Sequence, residues 1–130
     1  MSKRINNKIY IAVGIGGMIG AISRYGVSTV FSSFDSFPFG TLTANLLGCF
    51  LLSYLLNQKQ LKRLLSLEVN IGLTTGIIGA FTTYSTFAVE TLELMKRSVI
   101  LAILYILISI LGGLAFCYLG FHVAKRKKVA

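Results

Sequence analysis

Apolar residues run along this chain in four long stretches, and the polar breaks between them are short. No charged side chain falls between Asp35 and Lys59, between Glu68 and Glu90, or between Arg97 and Lys125. Those intervals hold 23, 21 and 27 residues, and a helix needs roughly 20 to cross the hydrocarbon of a bilayer. A fourth stretch, from about Ile9 to Phe31, is interrupted only by Arg24. The pattern predicts an all-α membrane protein with a single domain over 1–130. Its four transmembrane helices cover about 9–31, 39–57, 69–94 and 98–122. The connections Ser32–Pro38, Asn57–Glu68 and Met95–Ser98 are too short for a soluble domain, so function must lie within the helices. Lys3, Arg4 and Lys8 before the first stretch resemble the start of a signal peptide. The apolar run is too long for that, however, since such a core holds roughly 7–15 residues.

Composition agrees with lipid as the solvent. Of 130 residues, 55% are hydrophobic and 13% charged, against about 25% charged in soluble domains. The net charge of +9 does not imply nucleic acid, because its distribution follows the membrane. With four spans, the N-terminus, the middle connection and the C-terminus share one side. That side carries Lys3, Arg4, Lys8, Lys59, Lys62, Arg63, Lys125, Arg126, Lys127 and Lys128, whereas the other carries only Lys96 and Arg97. An excess of Lys and Arg marks the cytoplasmic face, so both termini are expected in the cytoplasm of a multi-pass protein of the cell membrane. The basic tail would also touch anionic lipid. Cys49 and Cys117 lie in different apolar spans with no CxxC or histidine beside them, and read as packing residues. No cluster suggests an enzyme.

The third stretch holds the candidate chemistry. Thr82, Thr83, Tyr84, Ser85 and Thr86 are five consecutive hydroxyl residues at its centre, preceded by Gly72, Gly76 and Gly79. Glycine weakens a helix by about 1 kcal/mol relative to Ala, and β-branched Thr weakens it less. A helix broken near the midplane is tolerated only where protein or water covers it. Freed carbonyls at such breaks are where transporters hold ions. The plainer alternative is that the hydroxyls bond back to the preceding turn while small residues pack helices.

Other candidates are weaker one by one. Asn45, deep in the second stretch, suits either an anion or an interhelical bond. Tyr84 and Phe87 share a helix face, and aromatic edges carry partial positive charge. Tyr105 and Ser109 form a short polar stripe on the fourth stretch. Gly16 and Gly20 form a GxxxG pair for close helix approach. Arg24 either snorkels outward or lines a wet vestibule. Glu90 and Glu93 sit at helical spacing from Lys96 and Arg97 and are expected to pair with them.

Taken together, GGMIGAISRY at 16–25, GTLTANLLGCF at 40–50 and GIIGAFTTYSTF at 76–87 resemble the CrcB or Fluc family of bacterial fluoride channels, over essentially the whole chain and in order. The resemblance implies an antiparallel dimer with two fluoride pores. In it Asn45, the ring edges of Tyr84 and Phe87, and the polar track of Tyr105 and Ser109 line the fluoride path, and Arg24 stands in the vestibule. It also implies a structural sodium ion, Na+, held by the backbone carbonyls of Gly79 and Thr82 from both subunits. Two positions depart from the family pattern: Tyr84 where Phe is usual, and Gly113 where the track often continues with Ser. The uneven Lys and Arg count leads to the expectation that the chain inserts one way and pairs with a related, oppositely oriented subunit. Two alternatives carry forward. One is a non-conducting partner subunit of a heterodimeric fluoride channel. The other is a small multidrug-type exporter, which needs a buried carboxylate for proton coupling that the first span lacks.

Overall fold

A computed structural model describes residues 6–126 of the chain; Lys3, Arg4, Lys127 and Lys128, part of the charge argument, lie outside them. The elements are α1 (Asn7–Val30), α2 (Phe39–Asn57), α3 (Lys59–Leu64), α4 (Leu67–Ile71), a π-helical segment (Gly72–Ile78), α5 (Gly79–Phe81), α6 (Ser85–Arg97) and α7 (Val99–Arg126). Among the described residues all regular structure is helical. Three helices, α1, α2 and α7, are long and apolar enough to cross a membrane. These helices lie over the first, second and fourth apolar stretches, α7 running on to Arg126.

The third span differs from a plain helix in two ways. It loosens into π geometry over Gly72–Ile78, and it stops at Phe81, where Thr82 turns extended, before helix resumes at Ser85. Both features follow from composition, since glycines and β-branched threonines crowd this stretch. The middle connection also holds α3, a short basic helix not expected from its pattern.

Burial is inverted relative to a water-soluble fold. Ile22, Ile100, Leu111 and Leu114 point outward, while Gly16, Gly20, Gly48, Ala44, Ala102 and Gly120 are buried. Lipid gives apolar side chains no reason to hide, so small residues that let backbones approach occupy the interfaces. The GxxxG pair does this as expected. Gly16 meets the Gly72 carbonyl and Gly20 the Ile77 carbonyl, and a Cβ on either would collide with that backbone. From the other side, a Cβ on Gly72 would lie 3.0 Å from the Ala12 carbonyl oxygen. Gly120 brings α7 against the Phe50 carbonyl of α2 in the same manner.

Larger residues close one end of the α2–α6–α7 seam. Leu42, Leu94, Ala102 and Tyr105 form a core, with Phe37, Leu46, Phe87 and Leu101 packed around it.

Candidate functional site

The break at Thr82–Tyr84 is held open by side chains that replace its helical bonds. Thr83 would normally donate its N–H to the carbonyl of Gly79, four residues earlier. Instead that N–H goes to Asn45 Oδ1 at 2.8 Å, and Asn45 Nδ2 donates back to the Thr83 carbonyl at 2.9 Å. One side chain thus spends its carbonyl and one amide hydrogen on the two backbone polar groups of a single residue. Three residues further on, the Thr86 N–H would reach the Thr82 carbonyl, but it is captured by Thr83 Oγ1 at 3.2 Å. Thr83, just before the Tyr84 cap position of α6, thus accepts an orphan N–H of the first turn with its hydroxyl oxygen, as capping residues do. The carbonyls of Gly79 and Thr82 lose their helical donors as a result. Around the Gly79 oxygen only the Thr82 hydroxyl remains, at 3.5 Å, and that hydroxyl bonds better to the Ile78 carbonyl at 3.0 Å.

Packing fixes where this break sits. Gly48 on α2 faces Thr82, and a Cβ there would overlap Thr82 Cγ2. Gly79 has nothing within 4 Å of such a position and looks into open space. Beside it lies a groove of about 640 Å³ whose wall includes Asn45, Gly79, Thr82, Tyr84, Phe87 and Ser109. The plainer alternative for the hydroxyls holds at Thr82, as noted, and at Thr74, which bonds the Asn70 carbonyl at 2.9 Å. Thr83 and Thr86 depart from it, because they bond each other at 3.1 Å.

The expected path residues separate into two groups. Asn45, Tyr84, Phe87 and Ser109 border the groove. Tyr84 is 82% exposed, so its ring projects out of the single chain, with the Phe87 ring 6.1 Å away. Tyr105 does not join them. It is fully buried, its ring edge-on to Phe37 at 5.4 Å and 5.1 Å from Phe87. The Tyr105–Ser109 stripe thus divides, the tyrosine in the core and the serine on the groove. Arg24 lies half-buried on α1, which contributes no residue to the groove wall.

A functional contact missed in the sequence is that of Glu90. It does not pair with Lys96 or Arg97. Tyr105 Oη donates to Glu90 Oε2 at 2.7 Å, and Thr41 Oγ1 donates to Oε1 at 2.8 Å. Arg97 instead donates to the Asp35 carbonyl at 3.1 Å. Glu90 borders two small clefts, of about 160 and 170 Å³, under the Phe34–Pro38 connection. The available signal was Thr41 itself, a second polar residue one turn before Asn45.

The sodium ion implied by the resemblance would be a hard cation, which takes oxygen ligands. Gly79 and Thr82 fit it in kind, because both carbonyls have been released from their helical donors. Two oxygens do not complete a coordination shell, so further oxygen ligands would be needed.

An all-helical membrane protein with a broken helix and an amide at the wall of an open groove has the features of the ion-transport class. Within that class the chain is a member of the CrcB family: the family described as CrcB-like protein, Camphor Resistance (CrcB), matches residues 11–121. A Bacillus cereus protein named fluoride-specific ion channel FluC 1 is 46% identical over 122 residues, covering 92% of this chain and 85% of that protein. The Oceanobacillus iheyensis protein named fluoride-specific ion channel FluC is 46% identical over 115 residues, 88% of this chain and 89% of its own. A Listeria innocua protein named fluoride-specific ion channel FluC 2 is 44% identical over 112 residues, 85% and 86% of the two chains.

Proposed function

We propose that this chain is a subunit of a fluoride-selective channel that lowers cytoplasmic fluoride by passive efflux. The observation that carries the reading is the groove, where Asn45, Tyr84, Phe87 and Ser109 meet beside a broken helix, together with relatives named for fluoride. HF enters cells as a neutral weak acid and dissociates inside, where the ion is trapped. A pore lets it leave down its electrochemical gradient, driven by the negative interior. Selectivity rests on a narrow dehydrating path, in which the free hydrogen of the Asn45 amide, the Ser109 hydroxyl and aromatic ring edges replace water.

The groove is open along one side, so a second protein surface completes it in this proposal. An antiparallel dimer of four-span subunits would do so, each with 69–94 as its broken third span. It would also add a second pair of Gly79 and Thr82 carbonyls to hold a structural sodium ion. The uneven Lys and Arg distribution supports termini in the cytoplasm and a related, oppositely oriented partner. The names FluC 1 and FluC 2 among the relatives agree with paired subunits. A reporter fused to the C-terminus checks the orientation, and a mixed population of inside and outside termini would sink it. The non-conducting subunit and the multidrug-type exporter are not favoured.

The deciding experiment is fluoride efflux from liposomes containing this chain alone, followed by electrode, with chloride efflux as control. Fast fluoride-only release establishes the function and shows that self-pairing suffices. No release alone, but release after co-reconstitution with a related subunit, establishes the paired form. No release in either case defeats the proposal.

A further inference from the structure

Cys49 on α2 and Cys117 on α7 are far apart in sequence but neighbours at the groove wall. They are the only two cysteines of the chain, and both are free and half-buried. The Cys117 thiol donates to the Cys49 carbonyl at 3.6 Å. Gly113, one turn before Cys117, also faces this sulfur: a Cβ there would lie 3.4 Å from Cys49 Sγ, at ordinary contact distance.

Among the described residues no group of three or more His, Cys, Asp or Glu side chains comes together. The pair therefore lacks the three or four protein ligands of a zinc site. Two sulfurs alone suit a soft ion that is satisfied by two ligands in line. We propose that Cys49 and Cys117 form a two-sulfur site for a soft, two-coordinate metal ion of the Hg(II), Ag(I) or Cu(I) class, and that its occupancy closes the groove. On binding Hg(II), each S–H bond breaks, each sulfur forms a bond to the metal, and two protons leave to water. The product is neutral, which matters because an uncompensated charge away from water is costly. A monovalent ion reaches neutrality by keeping one thiol protonated. Closure follows from position: Cys49 is one turn after Asn45 on α2, and both border the groove. Closure, but not binding, rests on the proposed fluoride path.

The test uses the full chain in liposomes, with mercuric chloride as the probe. Binding is read from the ultraviolet absorbance of the mercury–thiolate bond and from protection of the thiols against maleimide, with no fluoride present. The wild type is expected to take one ion per chain and to protect both thiols. Cys49→Ser and Cys117→Ser should each bind roughly a hundredfold more weakly, since the second sulfur no longer adds intramolecularly. Cys→Ala versions serve if serine disturbs folding. A single variant that binds as tightly as wild type, or two ions per wild-type chain, overturns the site. Fluoride efflux should fall on adding mercury, recover with dithiothreitol, and be indifferent to mercury in the doubly substituted chain. Metal bound with efflux unchanged would overturn closure and with it the groove as the fluoride path, while leaving the site itself in place.

Discussion

Thr41 and Asn45 stand one turn apart on α2, and each reaches across to the third span, with opposite results. Thr41 meets a side chain: its hydroxyl and that of Tyr105 take the two oxygens of Glu90. Polar group answers polar group within that cluster. Asn45 meets a main chain: it takes both backbone polar groups of Thr83 and so leaves the Gly79 carbonyl without its helical donor. In an apolar solvent a polar side chain that binds another closes a structure, whereas one that binds backbone displaces a helical bond and exposes what that bond had covered.

The strongest way to break this contrast is Asn45→Leu. It strands both backbone polar groups of Thr83, and each unmet buried group costs about 1–3 kcal/mol. Thermal unfolding in detergent should show a loss of about 2–4 kcal/mol, and fluoride efflux should drop to background; unchanged efflux would refute the role given to the break. Next comes a pair of glycines on either side of it. Gly48→Ala pushes into Thr82 and should lose about 1–3 kcal/mol through overpacking. Gly79→Ala meets open space and should change stability by less than about 0.5 kcal/mol. With folding kept, efflux from Gly79→Ala measured with and without sodium tests the proposed sodium site at the carbonyl. Tyr105→Phe removes one of the Glu90 donors and should lower stability by about 1–2 kcal/mol, measured by the same unfolding assay. The smallest structural effect is expected for Ser109→Ala, whose hydroxyl has no hydrogen-bond partner among the described residues. Its stability should stay within about 0.5 kcal/mol while efflux slows several-fold, and unaltered efflux would remove Ser109 from the path.

Much of the fold was legible because lipid imposes a simple grammar of long uncharged stretches, and because glycines and threonines gathered where the helix fails. The GxxxG pair was legible for the same reason, as its spacing alone puts both glycines on one face. Contacts between helices were not legible in this way. Glu93 and Arg97 are four apart, so a reading confined to one helix pairs the acids with the nearby bases, and nothing in that spacing reveals that Tyr105 and Thr41 arrive from two other helices. Cys49 and Cys117 were hidden likewise, since the close approach of α7 to α2 is made at Gly120, against the Phe50 carbonyl, and not by the cysteines. Asn45 was ambiguous between holding an ion and holding a helix. The structure gives it the second task at the wall where the first would be performed, and its remaining amide hydrogen stays available.

The π-helical segment Gly72–Ile78 carries a different kind of constraint. Each π turn holds about one residue more than an α turn, and in an α-helix one residue corresponds to about 100° of rotation. The direction in which Gly79, Thr82 and Thr83 face is therefore set by how many residues precede them, rather than by which residues they are. A conservative replacement in this segment would leave the break aimed at Asn45, but a single deletion, however much it regularised the helix, would turn the break away from α2. Along this stretch, length matters more than composition.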